Sequence, residues 1–147
     1  MKTLFALLVA ALLPLSAFAQ EAADFAPVPA SEVVLDDLMF VKRPVVVFAD
    51  SPNDPNFIRQ MDLIGRDPAS LLARDVVVIT DTDPAARSEL RQKLRPRGFS
   101  LVILDKDLKT TLRKPLPWDV REITHAIDKF PLRRQEIQQG AGSGAGG

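Results

Sequence analysis

Apolar residues fall into runs of two kinds along the chain. The first run, Leu4 to Leu15, is interrupted only by Pro14 and follows a positive start at Met1-Lys2. Ala17-Phe18-Ala19 comes next, with small residues at both positions that a signal peptidase reads, which predicts cleavage between Ala19 and Gln20 and so a signal peptide over 1–19. A run of about a dozen residues is too short to cross a bilayer of ~30 Å as a helix, and no later stretch approaches roughly 18 consecutive apolar residues. The other runs are shorter. Val45-Val46-Val47-Phe48-Ala49, Val76-Val77-Val78-Ile79 and Phe99 to Leu104 (FSLVIL) are continuous and apolar, the pattern of strands covered on both faces. Lys109 to Arg113 alternates after the polar turn Asp105-Lys106-Asp107, as a hairpin partner at a sheet edge does.

Between these runs one device recurs. Asp54-Pro55, Asp67-Pro68 and Asp83-Pro84 each precede a helical pattern. An Asp at the N-cap accepts orphan amide hydrogen bonds, and Pro at the first helical position gives up no needed donor. The pairs predict helices over Asn56 to Gly65, through Ala73, and over Ala85 to Arg95, the last with Ala86, Leu90 and Leu94 at steps of four. Ser31 is placed to cap a short helical turn through Leu38. Asp119 and Glu122 begin a last helix like a capping box, Val120, Ile123, Ile127 and Phe130 form its apolar stripe, and Pro131 is expected to end it. The order is strand, helix, strand, helix, strand, strand, helix. It predicts an α/β fold, a single thioredoxin-like domain with three parallel strands plus one antiparallel edge strand, flanked by helices. The folded unit is expected over 31–134, after a flexible Ala- and Pro-rich leader at 20–30 and before a disordered Gly-rich tail at 135–147.

Charge narrows the possible partners. Cleavage would remove one lysine from the 19 basic residues and nothing from the 19 acidic ones, leaving a formal charge of −1. A near-neutral chain lacks the concentrated basic surface that phosphate backbones need, so nucleic acid is not expected as a partner. The chain has no cysteine, which excludes disulfides, thiolate nucleophiles and Cys-ligated zinc. No cofactor is implied.

Three segments together resemble a known family: Arg43-Pro44-Val45-Val46-Val47-Phe48-Ala49-Asp50-Ser51-Pro52-Asn53-Asp54-Pro55, Leu104-Asp105-Lys106-Asp107 with Lys109, and Ile127 to Glu136 (IDKFPLRRQE). They resemble the domain of unknown function 4174 family, whose bacterial members are small exported proteins and whose relatives close animal sushi-repeat-containing extracellular proteins. The resemblance implies an extracytoplasmic, periplasmic or secreted location and a thioredoxin-like fold. It implies no reaction and no catalytic residue. True thioredoxins carry their redox pair in the loop after the first strand, where the following helix lowers a thiol's pKa. The matching stretch is Asp50 to Asn56 (DSPNDPN), without sulfur, and the region facing it, Arg97-Gly98-Phe99-Ser100, lacks a proline where the strand begins.

The remaining candidate chemistry is sparse. Asp50 and Asp81 follow adjacent strands and are expected at the C-terminal edge of the sheet, where ligands of open α/β sheets bind, with Ser51, Asn53, Asp54 and Asp83 close by. Four carboxylates there suit a hard cation, but Asp54 and Asp83 are already accounted for as caps and the spacing is not that of an EF-hand, so no metal is expected. Arg87, Arg91 and Arg95 recur every four residues and are expected along one helix face, which with Arg97 suits an anion or an acidic partner, although a solvated face is the plainer reading. Arg133-Arg134 is a polar extension that either docks on a partner or solvates the chain end. His125 has no orienting partner or nucleophile in the sequence, Ser51 has no GxSxG context, and Trp118 is expected against the sheet edge. The expected function is a redox-inactive, non-catalytic module that binds an envelope or extracellular protein or a ligand. Its rivals are a peroxidase- or reductase-like enzyme using non-sulfur groups at Asp50 to Asp54 and a structural envelope protein.

Overall fold

The structure, a computed structural model, describes residues 25–143. The expected signal peptide, the expected leader as far as residue 24 and the final residues 144–147 lie outside the described residues. Five strands form one mixed sheet: β1 (Val28–Pro29), β2 (Arg43–Phe48), β3 (Val76–Asp81), β4 (Ser100–Leu104) and β5 (Thr110–Lys114), in the spatial order β1-β3-β2-β4-β5. Five helices accompany them: α1 (Pro55–Ile64), α2 (Pro68–Leu72), α3 (Glu89–Leu94), α4 (Val120–Ile127) and α5 (Pro131–Ser143). This is an α/β domain with helices on both sheet faces, consistent with a thioredoxin-like single domain.

The alternation of side chains along a strand divides the core in two. Val45 and Val47 of β2 join Val76, Val78, Leu101 and Ile103 on the face covered by Ile64 of α1, Leu71 of α2 and Ile123 and Ile127 of α4. Val46 and Phe48 join Ile79, Val102 and Leu104 on the opposite face, under Leu35, Leu90 and Leu94. The continuous apolar runs thus report a sheet sandwiched between layers, as their texture predicts.

Four expectations are corrected. First, β4 runs antiparallel to β2, pairing Phe48 with Ser100 and Val45 with Ile103, so the three long apolar strands are not all parallel; the parallel set is β1, β3 and β2. The chain turns back through a short α3 of six residues and enters β4 at the edge where β3 ends, Phe48 pairing with both Asp81 and Ser100. Second, the helix expected over Ala85 to Arg95 is broken. Pro84–Ala86 is a single 3₁₀ turn, Arg87 has left-handed backbone (φ 49°), and Ser88 recaps the chain to start α3. Third, the leader is ordered from Phe25 onward: Val28 and Pro29 pair with Ile79 and Thr80, and Phe25 packs on the core. Fourth, the chain from 135 to 143 continues a helix. α4 stops at Ile127, short of the Phe130 expected, and Pro131 does not end it but opens α5, serving as a helix's first residue.

Candidate functional site

The sheet has two ends, and each gathers charged residues in a different way. At the C-terminal end of β2 and β3, the loop Asp50 to Asp54 is a tight local turn. Ser51 Oγ accepts the Asn53 amide at 3.1 Å, and Asp54 Oδ1 accepts the amides of Asn56 (2.8 Å) and Phe57 (3.4 Å) as the cap of α1. Asp50 and Asn53 are exposed. The adjacent strand ends are joined by the Ala49 amide on the Asp81 carbonyl at 2.9 Å, so the strand ends are indeed side by side.

Asp81 and Arg91 meet there, bound to each other. The Arg91 guanidinium reaches Asp81 Oδ1 through Nε (3.1 Å) and Nη2 (2.9 Å), and Nη2 also donates to the carbonyls of Ala49 (2.9 Å) and Asp81 (3.1 Å). The second Asp81 oxygen accepts Ser88 Oγ–H, and Ser88 Oγ accepts the Arg91 amide at 3.0 Å. Arg91 also lies over the Phe48 ring, 5.4 Å from its centroid. The acid expected to hold a cation and the arginine expected to hold an anion therefore neutralise one another, and with Asp81 buried and Arg91 largely so the pair is a strut. Asp83 caps the 3₁₀ turn. Among the described residues no group of three His, Cys, Asp or Glu side chains is arranged to hold a metal ion.

Arg87, Arg91 and Arg95 do not share a helix face. Arg87 precedes the helix, and both Arg87 and Arg95 are exposed residues with left-handed backbone (φ 49° and 48°). Arg95 instead stands beside Arg97. The two line a cleft of about 400 Å³ with Phe99, Ser100, Arg113 and Pro115. A wider cleft of about 660 Å³ lies on the other side, between β1 and the Asp81 end of β3, and includes Thr80, Thr82, Ser88 and Glu89. His125 is exposed on α4. Trp118 is half-buried against the core, its backbone held by a reciprocal pair of bonds to the fully buried Gln60 amide (2.9 and 2.7 Å), with Lys114 Nζ 4.5 Å from the ring centroid.

At the opposite end of the sheet the three segments that carry the family resemblance come together. Arg43, with no exposed surface, donates from Nε to Asp105 Oδ1 (3.0 Å), from Nη1 to the Arg74 carbonyl (2.9 Å) and from Nη2 to Glu136 Oε1 (3.0 Å). Lys106 bridges Asp75 (2.7 Å) and Glu136 (2.9 Å), and Arg133 joins Glu136 to Asp128, which Arg74 grips with two bonds of 2.8 Å. Asp105 Oδ2 accepts the Leu132 amide near the start of α5 (3.3 Å). Burial by itself pushes the Glu136 carboxyl up. Hydrogen bonds from Arg43 and Lys106, with the charge of Arg43 and a bond from Arg133, outweigh it and hold the group at about 2. Arg133 is thus committed within the chain, while Arg134 beside it is exposed.

The sequence gives little sign of this cluster. Asp105 reads as a turn residue, which it is, since its carbonyl accepts the Leu108 amide, but its side chain is buried. An arginine just before a fully apolar strand is the one available signal, because a charged residue inside that strand's first pair must find a buried partner.

No curated protein and no solved structure matches the chain. The family model described as Domain of unknown function (DUF4174) matches residues 34–136, a span that begins just before Leu35 of the core and closes on Glu136 of the buried ionic cluster. The chain belongs to the DUF4174 family.

Proposed function

We propose that the chain is an exported, redox-inactive and non-catalytic module that binds an envelope or extracellular partner. The observation that carries this reading is the loop between β2 and α1. A thioredoxin-like scaffold presents its thiols there, and this loop is DSPNDPN in a chain without cysteine, with Ser51 and Asp54 both committed to backbone amides. A nucleophile needs an adjacent base, and neither side chain has a histidine or lysine partner. The buried charges at both ends of the sheet are saturated by one another, and every buried side-chain N or O among the described residues has a hydrogen-bond partner. Export rests on the N-terminal run that reads as a signal peptide.

The test is in-cell crosslinking of the tagged full chain followed by capture. A binding module recovers one reproducible partner, and recovery depends on the folded domain. Recovery of nothing above an unrelated exported control refutes the reading.

A further inference from the structure

Three arginines line one small cleft. Arg95 leaves the C-terminus of α3, Arg97 follows in the loop to β4, and Arg113 comes from β5. No Asp or Glu lines the cleft, and none of the ion pairs among the described residues includes these three arginines. The contrast is with Arg43, Arg74, Arg91 and Arg133, each of which has a carboxylate partner. In a chain with 19 basic and 19 acidic residues, like charges gathered without a counter-charge repel one another unless an anion joins them.

The cleft is also held in shape. Arg113 Nη2 donates to the Leu94 carbonyl at 2.6 Å, one of its five donors, which ties β5 to the end of α3. Arg95 and Gly98 both have left-handed backbone (φ 48° and 58°), and this double reversal sets Arg97 between them. Buried Phe99 and exposed Pro115 supply an apolar wall. A guanidinium's planar fork matches carboxylate and phosphate oxygens, and about 400 Å³ falls within the size of small-ligand sites.

We propose that this cleft binds a small organic acid, its oxyanion held by Arg95, Arg97 and Arg113 and its apolar body laid on Phe99 and Pro115. The inference rests on the binding-module reading and gives that module a ligand chemistry. The oxyanion is a carboxylate or a phosphate monoester, and the experiment separates the two sources.

The ¹⁵N-labelled chain lacking the signal peptide is titrated at low ionic strength with phenyl phosphate, benzoate and uncharged benzyl alcohol. The expected result is saturable shifts of the amides of Arg95, Arg97 to Ser100 and Arg113 with at least one acid and none with the alcohol, the tighter acid naming the source. The double variant Arg95→Gln/Arg97→Gln should weaken binding at least about tenfold, as loss of charge-assisted bonds does, while Arg59→Gln/Arg121→Gln stays within about twofold. Absence of saturable shifts with both acids overturns the proposal. So does unchanged affinity in the Arg95/Arg97 variant, or equal weakening in the Arg59/Arg121 variant. If the Arg95/Arg97 variant loses the acid but still captures the same protein partner, the cleft proposal stands and the partner docks elsewhere. Capture of no partner by the unaltered chain, with acid binding present, sinks the protein-partner reading alone.

Discussion

Asparagine at position 105 is the sharpest test of the buried ionic cluster. Asp105→Asn keeps the shape of the side chain and removes its charge, leaving the Arg43 guanidinium, itself 0% exposed, facing a neutral amide. Glu136 remains, but its side chain is 28% exposed and it is shared with Lys106 and Arg133. Removing one partner of a buried pair costs about 3–5 kcal/mol, because the surviving charge has already been stripped of water. Set against a total stability of about 5–15 kcal/mol, that is a large fraction. With a urea slope of ~1.5 kcal/mol/M, the midpoint falls by about 2–3 M. Trp118, the chain's one tryptophan, reports unfolding by fluorescence, checked by far-ultraviolet circular dichroism. The double variant Arg43→Met/Asp105→Leu removes both charges and should recover most of the loss, since an apolar pair of similar volume replaces a buried ion pair at little cost. A single-variant loss below ~1 kcal/mol, or a double variant less stable than Asp105→Asn, would refute the reasoning.

The other predictions concern neighbouring features. Glu136 is held at about 2 against an ordinary 4.5, so its contribution is fully present above about 4.5 and is lost as pH falls through about 2; urea midpoints measured across that window should flatten in Glu136→Gln relative to the unaltered chain. Truncation after Arg134 removes Glu136 and should destabilise the domain, whereas truncation after Gln139 should leave the urea midpoint close to that of the full chain. Gln60→Ala strips both bonds to the Trp118 backbone at a buried site and should cost about 1–3 kcal/mol, with a shift in Trp118 emission in the folded state. Asp54→Ala removes the α1 cap and should cost about 1 kcal/mol in the same urea assay.

What the chain reveals in advance follows from the range of each interaction. The apolar runs at Val45, Val76 and Phe99 announce β2, β3 and β4 because covering both faces of a strand leaves a mark on consecutive residues. The three Asp-Pro pairs announce helix or turn starts because a cap acts within three residues, and all three do cap. Strand direction leaves no such mark: FSLVIL reads the same parallel or antiparallel. The Arg87, Arg91 and Arg95 spacing fitted a helix that Ser88 interrupts with its own cap. Partners of Arg43 stand 31, 62 and 93 residues away, and no local pattern links them. The same holds for Arg113, which reaches the Arg95–Arg97 cleft only because β5 folds back on β4.

The measurement closest to the central claim is turnover by the purified chain lacking residues 1–19, using a disulfide-bonded protein with a thiol reductant and, separately, hydrogen peroxide. The account predicts rates equal to those of buffer in both assays, since the loop between β2 and α1 offers carboxylates, a hydroxyl and an amide but no thiol. Turnover above buffer that disappears in Asp50→Asn/Asp54→Asn, with the variant still folded by circular dichroism, would contradict it.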